Sequence, residues 1–136
     1  MLKKFHLGND TYLGYILVGG LGEPISFCFI TVDRNFNIVD TLECTIKYTN
    51  IPVKQFRINE NKEVFVYQLV PTTSTSIPLE TFQQVDAYIT CTVYQIDSTG
   101  HFIKTSENKT PNSRTFTRDE LNNKKTNLWD WYNVKY

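Results

Sequence analysis

Residues 86–96 constrain the fold more than any other part of the chain. Ala87, Ile89, Cys91 and Val93 fall at alternate positions and form a small aliphatic face, while Tyr88, Thr90, Thr92 and Tyr94 form the other. Extended backbone sends successive side chains to opposite sides, so a strand sorts these two sets and a helix would scatter them. β-Branched and aromatic residues also fit a pleated surface well. The same period of two recurs upstream. Ile25, Phe27 and Phe29 alternate with Ser26, Cys28 and Ile30, and Val64, Val66, Gln68 and Val70 alternate with Phe65, Tyr67 and Leu69. These two segments are largely apolar on both sides, the mark of a strand inside a packed structure. Leu42, Cys44, Ile46 and Tyr48 alternate with Glu43, Thr45 and Lys47 and predict a half-buried strand.

Strands are expected near 11–18, 25–32, 37–48, 53–58, 63–70, 86–96 and 101–105. Residues 32–41 and 96–105 match in register: an aliphatic residue, Asp33 or Asp97, a flexible turn, then apolar residues and a Thr. An Asp at a turn start accepts from backbone N–H groups two residues on, so both segments predict hairpins. Such turns occur in many unrelated β domains and name no family; convergence on a common turn explains the match better than duplication. Asn9-Asp10 predicts a turn, Gly19 to Pro24 a bend, 72–78 a polar linker and 105–115 a mobile loop. Thr117-Arg118-Asp119-Glu120 fits a capping box, which predicts a short helix reaching toward Asn127 or a helical turn before a final aromatic strand. Several short strands with regular turn signals imply an all-β fold. The expected layout is an antiparallel β-sandwich, immunoglobulin-like or jelly-roll, forming one domain over 1–136. Residues 117–136 add a short C-terminal helix and an aromatic tail.

That tail holds both tryptophans and two of the eight tyrosines. Apolar area of this size is not left in water. It either packs back onto the core or docks on another subunit or partner, since Trp and Tyr dominate interface hot spots. The candidate interface residues are Leu128, Trp129, Trp131, Tyr132 and Tyr136, together with Tyr88 and Tyr94 of the Thr/Tyr face. Those last two are expected to lie under the tail, or else to form an exposed platform.

Motifs of chemistry are sparse. His6 and His101 stand far apart with no ligand-spaced neighbour, so both predict surface residues and no metal site. The three cysteines lie in strand-like runs, where a free thiol acts as a small hydrophobe; a single inter-strand disulfide is the alternative. The glycines at 19–22 lack the Lys-Ser/Thr of a phosphate loop, and no Gly-x-Ser-x-Gly elbow occurs. Pairing of Cys91 with His101 as nucleophile and base is disfavoured, because Cys91 belongs to the aliphatic face. No cofactor is implied. The 14 basic and 14 acidic residues balance, which argues against nucleic acid as a partner. No apolar run approaches the length needed to span a bilayer. Met1-Leu2-Lys3-Lys4 opens like a signal peptide, but His6, Asn9 and Asp10 replace the apolar stretch; cytoplasmic synthesis is expected, with a virion as one destination.

The expectation from these residues is a non-enzymatic structural or adhesive module of a larger assembly, such as a phage or viral head-decoration, tail or fibre part. It would associate with a protein partner or with itself, as a homo-oligomer, through the aromatic tail. The alternative is a monomeric intracellular inhibitor or ligand-binding protein acting on a host protein.

Overall fold

The computed structural model describes residues 5–6, 11–18, 24–73 and 75–134, with only the backbone of 5–6. Nine strands, β1 (Phe5–His6), β2 (Tyr12–Val18), β3 (Ile25–Val32), β4 (Ile38–Tyr48), β5 (Ile51–Ile58), β6 (Val64–Pro71), β7 (Gln84–Ile96), β8 (Phe102–Lys109) and β9 (Arg114–Thr117), precede two short helices, α1 (Arg118–Leu121) and α2 (Leu128–Val134). All described strand pairs are antiparallel. The strands form a single sheet in the order β1 to β8, with β9 beside β7. The all-β, antiparallel class and the short C-terminal helices thus match expectation. The connectivity is a consecutive meander within one sheet, whereas a Greek-key immunoglobulin or jelly-roll layout needs strands that change neighbours out of order.

Three hairpins share one turn. Asp33 Oδ1 accepts from the N–H groups of Asn35 and Asn37 at 2.8 and 2.9 Å, and Asp97 Oδ1 accepts from those of Thr99 and His101, both at 2.9 Å. Asn59 repeats the device, its Oδ1 taking the Glu63 N–H at 2.9 Å. In each turn the fourth residue has positive φ: Phe36, Lys62 and Gly100. The Asn59 turn shares the aliphatic residue before it, Ile58, and the two apolar residues after it, Val64 and Phe65, but lacks the closing Thr, so the turn with its apolar flanks is the common element.

The sheet rolls on itself. β4 and β5 pair only at Ile46↔Lys54, Lys47↔Pro52 and Tyr48↔Ile51, and β4 otherwise follows β3. At the far end the β3–β4 and β7–β8 hairpins lock together. The Thr31 hydroxyl donates to the Gly100 carbonyl, and the Phe102 N–H donates to Asp40 at 2.9 Å. Leu13, Phe29, Cys44, Val64 and Val66 are buried inside the roll. A second core lies on the opposite side of β6 and β7, where Tyr67, Leu69, Ala87, Ile89 and Cys91 meet Phe116, Leu121 and Leu128. Burial on both faces is why the β6 sequence is apolar at nearly every position.

Four expectations change. Residues 105–115 contain the rest of β8 and the start of β9. β8 is exposed at every position but Phe102, so it lacks an apolar stripe to read, and its backbone bonds to β7 hold it. The helix begun by the capping box is only four residues long, with the Thr117 hydroxyl accepting from Glu120 N–H and Glu120 returning to Thr117 N–H. The aromatic tail forms α2. Within 72–78, Ile77 is buried in the second core and closes it from the side. The expected turn at Asn9-Asp10 and the bend at Gly19–Gly22 lie outside the described residues, as does the side chain of His6.

Candidate functional site

Helix α2 organises the principal surface feature. Leu128, Trp131 and Tyr132 follow helical spacing, so they share the face turned to the sheet. Leu128 is fully buried, and Trp129, Trp131 and Tyr132 are half-buried against the second core. The helix start is pinned from the sheet: Leu128 N–H donates to Gln55 Oε1 at 2.6 Å. Tyr67 of β6 supports two of the aromatics, with ring centroids 6.0 Å from Trp129 and 5.6 Å from Tyr132. Trp131 meets the Phe116 edge at 5.7 Å, and the Arg114 guanidinium stacks 3.8 Å from its ring centre while binding Glu120 at 2.7 Å. Arg57 lies 5.3 Å from the Trp129 ring centre. Each cation–π contact of this kind contributes roughly 0.5–2 kcal/mol, depending on solvation.

Two clefts flank the helix. One, of about 350 Å³, is lined by Arg57, Ile58, Asn59, Phe65, Tyr67 and Asn133. The other, of about 420 Å³, is lined by Asn108, Lys109, Thr110, Pro111 and Tyr132. Burial pushes the Tyr67 phenol up to about 12, and burial followed by the nearby Cys91 thiol raises Tyr132. Both phenols are therefore neutral donors near neutral pH. The surface offers stacking, amide and guanidinium groups suited to recognition by shape and hydrogen bonding.

Of the residues expected to form an interface, the fold gathers Leu128, Trp129, Trp131 and Tyr132; Tyr136 lies outside the described residues. Tyr88 and Tyr94 correct the expectation that they lie under the tail. The tail covers the Ala87, Ile89 and Cys91 side of β7, and Tyr94 packs against the core inside the roll on the other side. Tyr88 instead carries the Lys109 ammonium 4.3 Å from its ring centre. The reason is parity: residues at even positions of β7 cannot share a face with Cys91. Arg57, Phe65 and Asn133 were missed, although the Asn59 turn places Arg57 opposite Phe65 and Gln55 opposite Tyr67 on the α2 side.

Elsewhere the groups with chemical potential are quiet. Cys28, Cys44 and Cys91 are free thiols, and burial raises all three, Cys44 to about 12. His101 sits in an exposed turn with Nδ1 2.7 Å from the Thr99 hydroxyl. Among the described residues no three His, Cys, Asp or Glu side chains are grouped to hold a metal ion, and no helix is long and apolar enough to cross a membrane. The fold and surface define an all-β, single-sheet domain with a helix-borne aromatic face. Compared with protein-family models, curated proteins and solved structures, the chain finds no match.

Proposed function

We propose that the chain is a non-enzymatic structural or adhesive module that docks through α2 and its flanking clefts, onto a protein partner or a second copy of itself. The observation that carries this reading is the mounting of Trp129 and Tyr132: both rest on Tyr67 from below and remain partly open to solvent. Aromatic side chains already held in place lose little entropy on docking, which is what a hot spot requires. Val134, 67% exposed, extends the apolar surface at the end of the helix. A symmetric homo-oligomer in a larger assembly, such as a virion head-decoration, tail or fibre part, is the setting this reading favours. In architecture, the β2–β4 layer folded over β5–β8 serves as a sandwich-like support for that surface.

The two clefts favour a second reading, a monomeric ligand-binding protein or inhibitor, since their volumes fall in the range of small-ligand sites. Sedimentation velocity across a concentration series tests the first reading in its self-associating form. The first reading expects a concentration-dependent oligomer that Val134→Glu and Asn133→Arg dissociate without changing the melting temperature. A monomer at every concentration removes self-association, and an oligomer indifferent to both variants removes α2 as its contact.

A further inference from the structure

We propose that the groove between the β4–β5 hairpin and the α1–α2 connection binds a small ligand carrying a tetrahedral oxyanion, a phosphate or sulfate ester. The groove encloses about 300 Å³. Its lining includes Lys47, Lys54 and Lys124, with Asn50, Gln55 and Asn127 among its polar neighbours, and no carboxylate. Lys54 is spoken for: its ammonium, with the side chain only 15% exposed, binds Glu43 at 3.1 Å. That carboxylate also takes the Ser26 hydroxyl at 2.8 Å. Lys47 and Lys124 make no ion pair among the described residues. Two uncompensated cations beside a third, in a chain whose charges balance overall, create a local positive field. An anion seated between them would relieve their repulsion.

The walls are fixed before any ligand arrives. Asn50 N–H donates to Asn122 Oδ1 at 3.3 Å, tying the hairpin to the connection. The Thr126 hydroxyl donates to the Glu120 carbonyl at 2.6 Å and anchors the connection to α1. Gln55 uses Oε1 to accept from Leu128 N–H, which leaves its amide N–H groups as donors in the groove lining. Ammonium and amide donors lining one groove suit an oxyanion, whose oxygens are all acceptors. The volume is at the low end for ligand sites and fits one ester group with a sugar-sized remainder. A long polyanion is disfavoured, because two free lysines release few counterions.

The test is an amide-resolved NMR titration of the full chain with glucose 6-phosphate, glucose 6-sulfate and glucose. The expected result is saturable shifts at Lys47, Asn50, Gln55 and Lys124 with one or both esters and none with glucose; the ester that binds more tightly identifies the source of the oxyanion. Lys47→Gln and Lys124→Gln should each weaken binding about tenfold, the scale of one charge-assisted hydrogen bond, with unchanged melting temperature. Absence of saturable shifts, shifts of equal size at Lys104 and Lys109 on β8, or indifference to both substitutions overturns the site. None of these outcomes bears on α2 docking, which is probed by different residues.

Discussion

Replacing Leu128 by Ala asks whether the aromatic tail belongs to the core. Leu128 is fully buried, in the cluster that contains Ile51, Tyr67, Phe116 and Leu121. Truncating a buried Leu costs about 2–5 kcal/mol, more where the surroundings cannot collapse into the space. Here the neighbours belong to paired strands and a capped helix, so a cost well above the minimum is expected, about 3–4 kcal/mol. Unfolding entropy near 2.1 cal/mol/K per residue, over 136 residues, gives roughly 0.3 kcal/mol/K. The melting temperature should therefore fall by about 10–13 °C. Val134→Ala, at an exposed position of the same helix, should stay within about 0.5 kcal/mol. Urea unfolding followed both by tryptophan fluorescence and by far-ultraviolet circular dichroism is the assay. Both tryptophans sit on α2, so fluorescence reports the helix while dichroism reports the sheet. A loss below about 1 kcal/mol for Leu128→Ala, or fluorescence that changes at lower urea than dichroism in the wild type, would refute the reasoning that α2 is part of one cooperative core.

Two further outcomes test the scaffold. Gly100→Ala should destabilise by about 1–3 kcal/mol, since φ is +91° and an added Cβ would sit 3.0 Å from Thr11 Cγ2 and 3.4 Å from Val39 Cγ1; an unchanged urea midpoint would show that the two hairpins are not locked there. Glu120 is held below its ordinary value of 4.5, first by the Thr117 backbone N–H and then by Arg114, so its contribution is complete above that pH and is lost as the pH falls through the lowered folded value. Glu120→Gln, which can keep the contact to the Thr117 N–H but loses the ion pair with the partly exposed Arg114, should cost about 0.5 kcal/mol at pH 7, and the gap from wild type should close toward pH 3; a gap independent of pH would place the effect elsewhere.

The strands were legible wherever one or both faces are buried, because burial writes a period of two into the sequence. β7 and β6 show this best, and the Asp33 and Asp97 turns were readable from a side chain that serves its own backbone. β8 was unreadable past Thr105 for the opposite reason: it faces solvent and is specified by its partner. The tail misled through composition. Trp and Tyr favour strands, yet the spacing Leu128, Trp131, Tyr132 is helical, and that periodicity was the available signal. Strand neighbours also escaped the sequence, since alternation fixes which face a residue takes and says nothing about which strand lies beside it. The basic groove joins Lys47 to Lys124 through the fold alone, and Lys124 by itself reads as ordinary surface.

The outer side of β8 has a consequence for how copies of this protein can meet. Its register with β7 slips between Val93 and Tyr94, which leaves Thr105 out of step, and Lys104, Glu107 and Lys109 stud the exposed strand. A kinked, charged border is a poor template for another chain to zip onto. Growth of an endless ribbon through β8 is thereby disfavoured, whatever other contacts the surface makes.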